Sequence, residues 1–175
     1  MKRDDLEHVL RAAGAITGVS TWVIVGSQAI LGALPNAPAE LLVSQEVDLY
    51  APADEAASDL LDGSIGEKSP FHESFGYYAH GVGEETAILP SRWRERAVAI
   101  ETTSTGGVTG ICPDPADLVI SKLAAWREKD QDFVRVLVRR GIVSVDEIRA
   151  RLGEIDEETA MGIKARLRGL DSAPA

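Results

Sequence analysis

The apolar positions of the chain change period as it is read from the N-terminus. Leu6, Val9, Leu10 and Ala13 recur at helical spacing behind Asp4 and Asp5, either of which can cap the helix, and Gly14 or Gly18 can end it. Residues 22–25, Trp-Val-Ile-Val, are too few and too apolar for anything but a buried strand. Ser27 stands where an N-cap belongs, before a helix of about two turns that stops ahead of Pro35. Asn36, Ala37 and Pro38 make a loop, and residues 46–50 form a second strand stopped by Pro52. Residues 53–61 then read as a helix closed by Gly63.

Beyond this point the pattern shortens. Residues 64–75 are rich in Gly, Ser and Pro and predict loop with a helical turn, residues 77–82 and 97–101 predict strands, and 108–112 a further strand. The turn at 102–107 joins the last two into a hairpin. Asp114, with Pro115 next and Asp117 in the first turn, is a strong helix start. Helical spacing covers 118–126, continues or restarts through Phe133, Val134, Leu137 and Val138 to Gly141, and returns over 144–152 and 156–170, with 171–175 expected to fray. The resulting expectation is an α/β (α+β) fold, a mixed β-sheet flanked by helices. Residues 1–113 form the core, and residues 114–170 a helical part packed on it and contributing to any site.

Composition narrows the function classes. A hydrophobic fraction of 45% over 175 residues supports one globular core. The net charge of -10 argues against broad wrapping on nucleic acid or an anionic membrane. The local basic stretches are Arg92-Trp93-Arg94-Glu95-Arg96 and the arginines 135, 139 and 140. A single cysteine, Cys112, admits no internal disulfide, and neither a signal peptide nor a membrane span is apparent, so a cytoplasmic protein is expected.

The candidate chemistry sits around the first two strands. Side chains alternate along a strand, so Glu46 and Asp48 share one face while Val47 and Leu49 take the other, an arrangement that can hold a divalent cation. Gly26 and Ser27, at the end of the preceding strand and the start of a helix, offer backbone N–H groups to a phosphate. If residues 118–137 form one helix, Lys122, Trp126 and Asp130 lie along one stripe. The lysine then offsets phosphate charge, and the acid orients it or acts as a base. Glu101 is a candidate third carboxylate, although a cross-strand surface role suits it better. His72 and His80, flanking Tyr77 and Tyr78, are read as structural rather than as general bases. No Gly-x-Gly-x-x-Gly or Gly-Lys-Ser/Thr motif occurs.

Gly26-Ser27 after a strand, Glu46-x-Asp48 on the next, and Lys122 ahead of Arg127-Glu128-Lys129-Asp130 resemble the nucleotidyltransferase superfamily with a polymerase-beta-like core. Within it the chain is similar to the AbiEii-like enzymes of toxin-antitoxin systems and their small relatives. The resemblance implies Mg2+ and transfer of a nucleotidyl group from a nucleoside triphosphate to an acceptor such as tRNA or another RNA. It also implies a cognate antitoxin or toxin protein as partner. Carried over by position, Gly26, Ser27 and Lys122 bind the nucleotide, Glu46 and Asp48 hold the metal, and Asp130 completes the catalytic set. Glutamate at 46, where the family more often has aspartate, keeps open the alternative of a nucleotidyltransferase-like binding or regulatory protein that no longer transfers.

Overall fold

The computed structural model describes residues 1–171. The part of the 171–175 stretch beyond Asp171 lies outside them. Helix α1 (Arg3–Thr17) carries the predicted stripe, with Leu6, Val9, Leu10 and Ala13 fully buried. Asp5 accepts the Lys2 N–H at 2.7 Å and so caps from the first turn, and Gly18 closes the helix in the left-handed conformation. Strand β1 (Thr21–Val25) follows.

After β1 the expectation needs correction. Ser27 is not an N-cap. It opens a 3-10 turn (Ser27–Ala29) that leads into the single-turn helix α2 (Ile30–Ala33), and Gly26 occupies the cap position with no side-chain capping bond. Strand β2 (Glu46–Tyr50) is as read. Helix α3 (Glu55–Ile65) is capped by Asp54, which accepts the Ala57 N–H at 3.3 Å, and it runs past Gly63 to end at Gly66. Helix α4 (Pro70–Phe75), capped by Ser69, leads to strand β3 (Tyr78–Gly81). The short helix α5 (Trp93–Arg96) precedes strands β4 (Val98–Ile100) and β5 (Thr109–Cys112), which pair antiparallel as the predicted hairpin.

The sheet order is β3-β2-β1-β5-β4. β1 is antiparallel to β2 but parallel to β5, and β2 is parallel to β3, so the sheet is mixed. Its two faces differ. Trp22, Ile24, Val47, Leu49 and Ala79 point into a large core that reaches from Leu6 to Leu167. Val23, Val25 and Tyr50 point the other way, into a small cluster closed by Trp93. Glu46 and Asp48 have the parity of Tyr50, which puts them on this thinly covered face.

The C-terminal helices are α6 (Pro115–Ala125), α7 (Glu128–Arg139), α8 (Val145–Arg151) and α9 (Glu157–Asp171). The helical run after residue 118 is interrupted, not continuous: Trp126 takes a left-handed φ of 55° and α7 restarts two residues later. Arg166 of α9 donates to the Leu123 and Ala124 carbonyls left open at the end of α6, and its guanidinium lies 5.3 Å from the Trp126 ring centroid. Asp117, fully buried, is held by Arg96 at 2.9 Å and Arg151 at 2.9 Å, tying α5 and α8 to α6.

Candidate active site

Register assembles the first half of the site. Val25 pairs with Asp48 across β1 and β2, so the Gly26 backbone turns directly over the Asp48 carboxylate. Gly26 has φ 71° and ψ -167°, a region open in practice to glycine alone, and a Cβ there would overlap Asp48 Oδ2. Glycine at this position is therefore required twice, by conformation and by contact. Across the other edge of β2, Glu46 pairs with Tyr78 and Asp48 with His80. Tyr78 Oη donates to Glu46 Oε2 at 2.7 Å, while His80 Nδ1 lies 3.2 Å from Asp48 Oδ1 and 3.7 Å from Glu46 Oε1.

The two carboxyls respond to each other. Burial, the hydrogen bond with Glu46 and its negative charge push the Asp48 carboxyl up to about 6, with His80 acting in the opposite sense. For Glu46 burial alone would raise the value, but the bonds from Tyr78 and Asp48, with the charges of His80 and Lys129, leave it below the usual range. A cation between the two carboxylates would offset the repulsion that helps to raise Asp48. Hard oxygen donors suit a divalent ion of the magnesium or calcium kind, so the residues fit the metal that the nucleotidyltransferase resemblance implies.

The second half comes from α6 and α7. Lys122 is 5% exposed and Asp130 1%, and Lys122 Nζ lies 3.2 Å from Asp130 Oδ1. Asp130 also accepts from Arg127 Nε at 2.7 Å and from the Arg127 backbone N–H at 3.2 Å. Burial lowers the Lys122 ammonium, an effect the Asp130 charge partly offsets. Gly26, Ser27, Glu46, Asp48 and Lys122 line one cleft of about 770 Å³, with His80, Arg127 and Lys129 on the same walls. Asp130 stands behind Lys122 and Arg127 and does not line the cleft.

Five of the six residues singled out from the sequence thus share one cleft, and the sixth grips two of its cations. Glu101 is not among them. It follows β4 on the other edge of the sheet and meets Thr109 Oγ1 at 3.5 Å, the cross-strand surface role already favoured for it. His72 is structural, accepting the Lys68 N–H at 3.0 Å and packing against Tyr78. His80, also read as structural, stands at the carboxylates instead. Its signal was the Tyr78-x-His80 alternation, which repeats the Glu46-x-Asp48 period on the neighbouring strand.

The basic surface read from the sequence is largely neutralised. Arg96 is bound by Asp117 and Glu154, Arg94 by Glu84 at 2.8 Å, and Arg135 by Asp132 at 2.8 Å. Arg139 and Arg140 both bind Glu40. Among the described residues no helix is long and apolar enough to cross a membrane.

A carboxylate pair, a tight glycine turn and a buried lysine thus line one cleft. The family model described as nucleotidyltransferase of unknown function (DUF6036) matches residues 4–170, and the chain belongs to that family. Comparison with curated proteins and with solved structures gives no match. Nucleotidyltransferases generally work with a divalent metal, and Glu46, Asp48 and His80 bring ligand atoms within 4.8 Å of one another.

Proposed function

We propose that the chain transfers a nucleotidyl group from a nucleoside triphosphate to an acceptor hydroxyl. The observation that carries this reading is the placement of Glu46 and Asp48 opposite Lys122 in the cleft beneath Gly26, in a chain of a nucleotidyltransferase family. The acceptor oxygen forms a bond to the α-phosphorus, the bond from that phosphorus to the bridging oxygen breaks, pyrophosphate leaves, and the acceptor proton passes to water. Glu46 and Asp48 would hold the divalent cation, a hard ion of the magnesium kind that carboxylate oxygens suit. When bound, that ion offsets charge on the phosphate oxygens.

The remaining work belongs to the chain's own groups. Lys122, itself buried, meets the charge that grows on the phosphate oxygens. Gly26 and Ser27 bring backbone close to the triphosphate. Asp130 acts through its neighbours, as a positioning residue that fixes Lys122 and Arg127. As acceptor we carry forward RNA, tRNA first, together with a cognate antitoxin or toxin partner. The pairing of Arg92 to Arg96 with acids leaves Lys129 at the cleft as a cation for that contact, beside Arg127, whose guanidinium is shared with Asp130.

A second reading, a nucleotidyltransferase-like binding or regulatory protein, is favoured by glutamate at 46, whose longer side chain is held by the Tyr78 hydroxyl. Incubation with each triphosphate labelled at the α-phosphate, a divalent cation and total RNA separates the two. Label entering RNA in the native chain and lost in Asp48→Ala supports transfer. Nucleotide binding without product on any RNA or protein acceptor supports the second reading, and label transferred equally by Asp48→Ala sinks the assignment.

A further inference from the structure

We propose that His80 is the third donor of the cation site, and that its imidazole shifts the site's preference from magnesium towards a first-row transition dication such as manganese(II). The inference rests on the nucleotidyltransferase reading and deepens it. His80 lies opposite Asp48 in the β2/β3 register, and Tyr78, two residues earlier on the same strand, lies opposite Glu46. The tyrosine hydroxyl holds Glu46 Oε2, so that Glu46 Oε1 is the oxygen near the imidazole, at 3.7 Å from Nδ1. Asp48 Oδ1 is 3.2 Å from the same nitrogen. Donors at neighbouring corners of an octahedron with bonds of about 2.1 Å stand roughly 3 Å apart, so the imidazole nitrogen needs little movement to share an ion with either oxygen, and the three residues bring ligand atoms within 4.8 Å of one another.

Two consequences follow from the nature of the third donor. A neutral imidazole adds a ligand without adding charge, so the donor set carries the charge of two carboxylates. It also adds a nitrogen, which magnesium accepts reluctantly and transition dications accept readily. The site is reachable, since the His80 side chain is half exposed on the edge strand β3 and offers the ion an entry path. Gly26 closes the opposite side over Asp48 Oδ2, which leaves Oδ1 as the oxygen on the His80 side.

The test uses the whole chain without nucleotide. Manganese(II) binding is read from the loss of its free-ion paramagnetic resonance signal, and magnesium binding from competition. The native chain should bind manganese on the order of tenfold tighter than magnesium. His80→Ala should lose on the order of tenfold for manganese and little for magnesium, and His80→Asp should reverse the preference. Bound manganese should show coupling to an imidazole nitrogen in the native chain, absent in His80→Ala. Because His80 is half exposed on an edge strand, both variants should melt like the native chain, and thermal unfolding checks this. Manganese that binds equally in all three proteins, without nitrogen coupling, but is lost in Asp48→Ala overturns the role of His80 and leaves the carboxylate site standing. Absence of saturable binding of either ion to the native chain overturns both.

Discussion

Lys122 and Asp130 meet at 3.2 Å although they lie on different helices, because the chain breaks at Trp126 between them. On one continuous helix eight residues rise about 12 Å, too far for an ion pair. The left-handed Trp126 folds α7 back over α6, and the pair is the contact that registers the fold-back. It is buried on both sides, so removing one partner strands the other. Asp130→Asn should destabilise the chain by about 3 kcal/mol or more, read by urea unfolding. Replacing both, Lys122→Met with Asp130→Leu, should recover much of that stability while nucleotidyl transfer stays lost. Recovery of transfer in the double variant would remove Lys122 from the site.

The same pair sets the acid limb of stability. Burial by itself would raise the Asp130 carboxyl, but the Arg127 hydrogen bond and the Lys122 charge and hydrogen bond outweigh it and hold the group below its ordinary 3.8. Below that value the unfolded chain takes up the proton more readily than the folded one. The stabilisation is therefore present above 3.8 and lost as pH falls through the lower folded value. Urea midpoints measured from pH 5 down to 2 should fall more steeply for the native chain than for Asp130→Asn. Parallel curves would remove Asp130 as the source.

Gly26→Ala tests the closest approach in the site. The new Cβ meets Asp48 Oδ2, and the backbone conformation is one that alanine avoids, a cost on the order of 1–3 kcal/mol. Cation affinity and transfer should both collapse, because the carboxylate has to move to make room. Ser27→Ala, beside it, should leave stability within about 0.5 kcal/mol and act only on triphosphate affinity.

Tyr78→Phe removes the hydroxyl that fixes Glu46 Oε2. Cation affinity should fall roughly 10- to 100-fold, the usual cost of freeing a metal-holding carboxylate from its supporting hydrogen bond. Calorimetric titration checks this, and an unchanged affinity would show that Glu46 needs no such support.

Arg166→Ala should act at a distance. It uncovers the Leu123 and Ala124 carbonyls and removes the stack on Trp126. Transfer should drop through kcat, with amide exchange faster at the α6–α7 break than in the sheet. Exchange faster everywhere would mean a general loss of stability instead.

The site was legible where its signal was local. Strand periodicity alone put Glu46 and Asp48 on one face, and the Gly26-Ser27 step marked the end of β1. Helical spacing aligns Lys122 with Asp130 only if the helix is continuous, and the structure joins them by breaking it, a tertiary outcome that spacing cannot express. His80 was passed over because its meaning depends on which strand β3 pairs with, and parallel pairing across a crossover leaves no mark in sequence. The arginines misled for the converse reason. Glu40, Asp117 and Glu154, which hold Arg96, Arg139 and Arg140, lie 21 or more residues from them in the chain, so a cluster that looked basic is largely neutral in space.

The clasp of Arg166 on the end of α6 has a bearing on synthesis. The two carboxylates and the glycine turn belong to the first third of the chain, but the lysine they face is held by a helix pair whose last fastening is contributed by α9. A growing polypeptide can complete its sheet with β5 and still lack a finished cleft until α9 has left the ribosome. Under the nucleotidyl-transfer reading proposed above, such an order of assembly keeps a partly made copy idle beside the machinery that is making it.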